Sequence, residues 1–458
     1  MKICKIFTFT DQDMFSRLSG DYNPIHLDSE YCKSSIYGEI LVHGAHAFLF
    51  GMEHYLQYWE HRVDEVSVEF KKPIFLNRDI SYLFKSKNIE LVQGNCLRCR
   101  IKLKTDGQSS QHQKIDVENY IRRTERLDSE EVNLTPTRVL PSKALIGQSL
   151  SCRPVIDFSM ANKFFPNICR YMPELLDLLA ITRLVGMELP GENSIFANFE
   201  IKRRNLPGLR DVFFQVKDFD SRFNMLVLAV KSYSWSGRIR AFFREPSLKR
   251  VDSIKLDPKL NIEVPTGRRC LILGGSRGLG RGLALGCAQL GLDTVATCRS
   301  DNLLGSLVPE SLMSKLTYIV FDVNTDSFDL LKNHEFDYIF YCCSPKILPD
   351  DIKNSDELRE EYSRVFVDCF IRAYSQLKIA CSSFFYPSTS FLAEKESRYG
   401  EYCNAKRRAE NFCVDKSDIV CIRLPAFLTD QTNANTSKGD LKSISSIVNL
   451  CLSKIFGK

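Results

Sequence analysis

Three groups of residues in this chain have types and spacings that chemistry can use. The first is Leu18-Ser-Gly-Asp-Tyr-Asn-Pro-Ile-His26, which sets a carboxylate, an amide and an imidazole within nine residues. Asn23-Pro24 stops a helix begun over 11–19, because the residue before a proline is pushed out of the α region, and Gly20-Asp21 turns the backbone. Asp21 and His26 can therefore converge. Together they can hold one water, one acting as base and the other as acid, which is what adding or removing water across a carbon–carbon double bond requires. The second group is Arg269-Cys-Leu-Ile-Leu-Gly-Gly-Ser-Arg-Gly-Leu-Gly280. It reads as a buried strand, a glycine-rich turn and the start of a helix, with a second strand at Thr294–Cys298, the context that dinucleotide binding requires. Its glycines let the backbone approach a pyrophosphate, and the helix N-terminus supplies N–H donors. The third is Tyr402-Cys-Asn-Ala-Lys406, whose tyrosine and lysine share one face of a helix.

Around the first group, Phe15-Ser-Arg-Leu-Ser-Gly-Asp-Tyr-Asn-Pro-Ile-His26, a small residue at Cys32 and Tyr37-Gly-Glu-Ile-Leu-Val-His-Gly44 closely resemble the signature of the MaoC-like, R-specific enoyl-thioester hydratases, which are hotdog-fold enzymes. The resemblance implies that Asp21 and His26 form the catalytic dyad and that Asn23 braces the site. It also implies that Gly44, opening the central helix after His43, offers its N–H to the thioester carbonyl. Physics agrees with that role, since free N–H groups at a helix start stabilise a developing enolate-like oxygen.

The spacing of Gly274, Gly278 and Gly280, Asp322-Val323 after a third strand, and the Tyr402/Lys406 pair resemble the short-chain dehydrogenase/reductase family. The resemblance implies that Gly274, Ser276, Arg277, Gly278, Leu279, Gly280, Asp322, Val323 and Lys406 hold the cofactor. It further implies that Tyr402 relays a proton while Lys406 lowers its pKa and binds the ribose. The family's serine falls within Ser388-Thr389-Ser390; Thr389 fits the spacing best, with its two neighbours left open. No acidic residue ends the second strand. Arg299 stands there and Arg277 lies in the turn, so a 2′-phosphate would be welcomed, which favours NADP(H) over NAD(H). Three features depart from the family. Tyr341-Cys-Cys-Ser-Pro345 replaces its Asn-Asn-Ala-Gly, Asp368 falls where a relay asparagine is expected, and the chain stops soon after a helix near 443–456, before a last strand.

The elements that must position these groups follow from length and pattern. A chain of 458 residues predicts about three domains. Residues 1–125 read as a catalytic hotdog, with an apolar helix over 43–58 and alternating strands at 66–70, 80–84, 96–103 and 113–117. Residues 126–246 repeat the outline without the Asp-x-Asn-Pro-x-His motif: an apolar helix over 173–185, then strands at 212–216, 224–232 and 238–243. They read as a second, non-catalytic hotdog. Residues 247–267 read as a linker within the proline-bearing stretch 245–268, and 268–458 as a C-terminally shortened reductase domain. The fold class expected is thus α+β tandem hotdogs followed by an α/β, Rossmann-type doubly wound parallel sheet.

Composition excludes several alternatives. No apolar run approaches the roughly 18 residues a membrane span needs, and MKICKIFTFTDQD lacks a signal-peptide core, so a cytoplasmic location is expected. The 17 cysteines lack framework spacing and read as buried thiols. Cys96-Leu-Arg-Cys99 has no second pair nearby and reads as strand, not as a zinc site; no metal is expected. His46, His54 and His61 read as packing or surface histidines. The net charge of +6 is spread along the chain, giving no support to a nucleic-acid partner.

The reading that results is a bifunctional enzyme. One site reduces a 3-ketoacyl thioester, and the other dehydrates the (R)-3-hydroxyacyl product, on CoA or acyl carrier protein, with a homodimer allowed. Alternatives left open are a hydratase whose third domain only binds nucleotide, a non-catalytic acyl-carrier-binding protein, and a reductase acting on a nucleotide sugar.

Overall fold

The computed structural model describes all residues except 36, 60–62, 106–119, 121–123, 125–134, 140, 141, 155, 205–210, 245–250, 260, 261, 263, 265, 266, 300–306, 333, 353, 354, 379, 380, 394–397, 428, 430–440 and 458. The strand expected over 113–117 and His61 lie outside the described residues. The chain divides into two units, Met1–Pro246 and Ser247–Lys458.

Among the described residues the first unit holds a ten-stranded antiparallel sheet in two halves. Its first half comprises β1 (Lys2–Ile6), β2 (Glu65–Phe70), β3 (Asp79–Lys85), β4 (Asn88–Gln93) and β5 (Cys96–Lys104), in the order β1-β3-β4-β5-β2. The second comprises β6 (Ser149–Cys152), β7 (Ser194–Arg203), β8 (Val212–Asp220), β9 (Met225–Lys231) and β10 (Trp235–Phe243). Read from its outer edge the second half runs β6-β8-β9-β10-β7, the same pattern, and β2 pairs β7 to join the halves. The join gives each half's inner strand a partner and leaves β1 and β6 as the edges. Alternation is the local cause of these strands: in β4, Ile89, Leu91 and Gln93 are buried while their neighbours are half exposed.

Three helices of the first half follow β1: α1 (Phe9–Ser19), α2 (Ser29–Ser34) and α3 (Gly44–Tyr58). Ala45 to Ala47, Phe48, Leu49, Met52, Tyr55 and Leu56 make α3 apolar nearly all round, and the sheet wraps it accordingly. Phe48 meets Phe199 of β7 edge-on at 5.2 Å, so one core spans both halves. Between β6 and β7 lie α4 (Phe158–Phe164), α5 (Pro166–Tyr171) and α6 (Asp177–Arg183), the last continuing as a wider π turn over Leu184–Glu188.

The second unit is a six-stranded parallel sheet of β11 (Arg269–Leu273), β12 (Asp293–Cys298), β13 (Leu316–Val320), β14 (Tyr338–Tyr341), β15 (Ser383–Thr389) and β16 (Ile419–Leu424). Its order, β13-β12-β11-β14-β15-β16, reverses direction between β11 and β14. Ligands of open α/β sheets bind at such a switch point, beyond the carboxyl ends of the strands. Helices α7 (Gly278–Gln289), α8 (Ser355–Ser363), α9 (Cys369–Leu377), α10 (Gly400–Cys413) and α11 (Ile444–Phe456) accompany it. Among the described residues no strand follows β16, which is the sheet's edge. The stretch read as a linker is corrected in part. Ile254 is buried in this unit's core with Val251 and Leu256 against it. The Lys255 N–H donates to Ser445 Oγ (3.3 Å), and Asn449 Nδ2 donates to the Lys255 carbonyl (3.1 Å). Prolines in a stretch do not prevent its apolar residues from docking.

Candidate active sites

In the first unit, Thr8 caps α1 with a reciprocal capping box to Asp11, and Gly20, in the left-handed region (φ 74°), ends the helix. The chain then turns as the sequence requires. Asn23 Oδ1 accepts the Ile25 N–H (3.2 Å), which folds Pro24–His26 into one 3₁₀ turn. Asn23 Nδ2 reaches across to the second half, donating to the carbonyls of Gly186 (2.9 Å) and Gly191 (3.2 Å). Asn23 thus clamps two halves of the first unit together.

Asp21 is 2% exposed. One carboxylate oxygen accepts the Asn23 N–H (3.2 Å); the other accepts the hydroxyl of Thr182, on α6, at 2.7 Å. Burial nonetheless pushes its pKa up to about 6. His26 Nδ1–H donates to the Leu41 carbonyl at 2.8 Å, which leaves Nε2 with its lone pair. Burial pushes the His26 pKa down to about 4, so the ring is neutral and basic at Nε2. His43 stacks on it, ring centres 3.8 Å apart, and its own nitrogens face Gln12 Oε1 (2.8 Å) and the Asp21 carbonyl (3.2 Å). Burial also drives His43 to lower pKa. Polar atoms of Asp21, His26 and His43 lie within 4.8 Å of one another.

Gly44 is the first residue of α3, and His43 provides no side-chain cap, so the first N–H groups of the helix are free of one. A side chain at Gly44 would sit 2.9 Å from the Phe70 ring. At Gly186 a Cβ would lie 2.3 Å from Asp21 Oδ1; only glycine admits the carboxylate there. Sequence reasoning missed Thr182 and Gly186, which touch Asp21 from more than 160 residues away. Thr182 lies in a helix that otherwise reads as core, and Gly186 just after it was the nearest signal.

In the second unit, Gly274 has φ 80° and Gly278 φ 52°. A Cβ on Gly280 would lie 2.1 Å from the Gly274 carbonyl, and one on Gly274 2.9 Å from the Cys343 nitrogen. The turn is therefore packed backbone to backbone, and α7 begins after it with no side-chain cap from Arg277. Ser276 and Leu279 are half exposed on this turn, and Arg299 is exposed beyond β12. Asp322 Oδ1 accepts both the N–H (2.9 Å) and Nδ2 (2.8 Å) of Asn324, with Val323 buried beside it. The crevice fits an anionic dinucleotide: free helix N–H groups, no room for side chains along the backbone, and two arginines at its rim.

Thr389, ending β15, is buried with Ser388, while Ser390 is half exposed. Burial raises the Tyr402 pKa. Lys406 is 4% exposed, donates to the Pro387 carbonyl at 2.6 Å, and sits 4.2 Å from the centre of the Phe366 ring and 4.5 Å from that of Tyr386. Burial lowers its pKa to about 7. Asp368 is exposed. The side chain from that π turn that reaches Lys406 is the apolar Phe366.

Residues 6–105 match the family described as MaoC like domain, so the first half of the first unit is a MaoC-like domain. No curated protein matches the chain. Among solved structures it is similar to an oxidoreductase of E. coli (16% identity, covering 44% of this chain and 94% of that one, TM-score 0.38). It is also similar to a short chain dehydrogenase of Shigella flexneri (15%, 45% and 91%, 0.37). A third is an alcohol dehydrogenase of the archaeon Thermococcus sibiricus complexed with 5-hydroxy-NADP (16%, 41% and 90%, 0.36). Likenesses this distant say nothing of substrate. Among the described residues no helix is long and apolar enough to cross a membrane.

Proposed function

We propose that the first unit is a pair of hotdogs that interconverts trans-2-enoyl and (R)-3-hydroxyacyl thioesters of CoA or acyl carrier protein. The observation that carries this reading is the Thr182-held Asp21 carboxyl within 4.8 Å of a ring nitrogen of His26, beside the uncapped start of α3. In hydration, His26 Nε2 takes a proton from water as its oxygen bonds to C3. The carbonyl oxygen, gaining charge, is held by the Gly44 N–H, and protonated Asp21 delivers a proton to C2. Asp21 holds a proton more readily than an ordinary carboxyl, and His26 less readily than an ordinary imidazole, so the single proton of the dyad belongs to Asp21.

We infer that the second unit, Rossmann-like in its strand order, binds NADP(H) at the Gly274–Gly280 turn with Arg277 and Arg299 toward the 2′-phosphate, and reduces 3-ketoacyl thioesters. When bound, that cofactor supplies the hydride; Tyr402 supplies the proton. A second reading is favoured by one observation. Lys406 lies among Phe366, Tyr386 and Tyr402 instead of facing a polar relay, which suits a unit that binds nucleotide without turnover. Following NADPH oxidation with acetoacetyl-CoA separates the two: turnover abolished by Tyr402→Phe supports reduction, and tight NADPH binding without turnover supports the second reading. In either case, replacing Arg277 and Arg299 by Ala should weaken NADPH much more than NADH; equal losses would refute the phosphate role.

A further inference from the structure

Arg244 follows β10 and is 9% exposed, although it belongs to the half of the first unit that lacks the Asp-x-Asn-Pro-x-His motif. Its backbone N–H donates to the Asn193 carbonyl (2.8 Å). Nη2 donates to the carbonyls of Glu192 (3.2 Å) and Ser194 (3.3 Å), and the Glu192 carbonyl also accepts the Tyr31 hydroxyl (3.3 Å). Nε is buried with no partner. Among the described residues no carboxylate pairs with this guanidinium; Glu192 turns its carboxylate to Arg138 instead. A buried guanidinium held by backbone carbonyls bears a large desolvation cost that a counter-ion would offset. The carbonyl of Gly191, next to Glu192, accepts Asn23 Nδ2 of the catalytic turn (3.2 Å), so Arg244 stands beside that turn.

We propose that Arg244 receives a carboxylate borne on the acyl chain beyond C3, so that the hydratase site selects dicarboxylic enoyl thioesters. The proposal rests on the hydratase reading above. A guanidinium presents a planar fork that matches a carboxylate and leaves an acyl chain without one facing an unpaired buried cation, so it both attracts the first and disfavours the second. A phosphate of the carrier offers similar chemistry. The acyl carboxylate is the better fit because successive carbonyls, Gly191 bound to Asn23 and Glu192 bound to Arg244, set the guanidinium beside the turn that works at C2 and C3, whereas the whole pantetheine arm separates the phosphate from the thioester.

The test compares kcat/KM for hydration of glutaconyl-CoA and crotonyl-CoA by the full chain and by Arg244→Met and Arg244→Lys. It then repeats the comparison with the N-acetylcysteamine thioesters, which carry no phosphate. The native protein should prefer the glutaconyl substrate at least ~10-fold, in both carriers. Arg244→Met should bring that ratio to about 1, and Arg244→Lys should restore part of it. A ratio does not depend on the fraction of a variant that folds. A native ratio near 1, or one unchanged in Arg244→Met, overturns the proposal. A dependence on Arg244 seen with CoA thioesters alone assigns the residue to the phosphate and overturns the carboxylate assignment. If no thioester turns over, the hydratase reading fails, and calorimetry decides separately: Arg244-dependent tighter binding of glutaconyl-CoA upholds the anion site, and equal affinities sink it.

Discussion

At the Asp21 carboxyl, burial raises the pKa to about 6 from the 3.8 of the free side chain. The stabilising consequence of a raised pKa is fully present below the unfolded value and is lost as pH rises through the folded one. At pH 7 the buried carboxylate therefore costs the fold about 3 kcal/mol, at roughly 1.4 kcal/mol per pKa unit. Asp21→Asn keeps an oxygen for the Asn23 N–H and removes the charge, so it should raise the unfolding midpoint of the first unit at pH 7, read by calorimetry, while hydration falls. A lowered midpoint would show that the carboxylate is stabilising. Thr182 works in the opposite sense, since its hydroxyl favours the ionised carboxyl. With Asp21 as acid and His26 as base, kcat/KM should decline as pH rises past about 6. Thr182→Val should move that limb to higher pH. A limb that stays put or moves down would remove Asp21 from the acid role.

Gly186 shows what an element must do for this site. The π turn that continues α6 carries a glycine against Asp21 Oδ1, and its carbonyl accepts from Asn23. Gly186→Ala should displace the carboxyl and lower hydration at least ~100-fold, the lower end of what a general acid contributes, with far-UV circular dichroism unchanged; near-native turnover would refute the close fit. The residues at hazard here also mark where the sequence stopped being legible. Asp21, Asn23 and His26 lie on one local turn dictated by Gly20 and Pro24, so spacing let Asp21 and His26 converge, and the resemblance of the surrounding residues supplied their roles and that of Asn23. Thr182 and Gly186 reach the site only through pairing of β2 with β7, a long-range event with no local trace. Strands β1, β4, β6 and β7 escaped the pattern for related reasons. Every residue of β1 is exposed or half exposed at the sheet edge, and β4 mixes Asn, Glu and Gln into its alternation. In the second unit, the Gly274–Gly280 turn was legible because glycine is the one residue its backbone contacts admit. Phe366, by contrast, reaches Lys406 through a π turn that shifts the helical register.

For the whole molecule, the clamp of Asn23, the Thr182 bond and the β2–β7 pairing join the two halves of the first unit into one body. Residues 1–246 alone should hydrate enoyl thioesters without nicotinamide cofactor. Residues 1–125 should not, and should aggregate through the unpaired β2 edge; an active, soluble 1–125 fragment would contradict a site assembled from both halves. The central claim is tested most directly by following loss of the enoyl chromophore of crotonyl-CoA with the full chain and with His26→Gln. The native protein should convert it to the (R)-3-hydroxy product, and His26→Gln, folded and with unchanged NADPH binding, should be slower by ~10²–10⁴-fold. Turnover by His26→Gln at near the native rate would contradict the account.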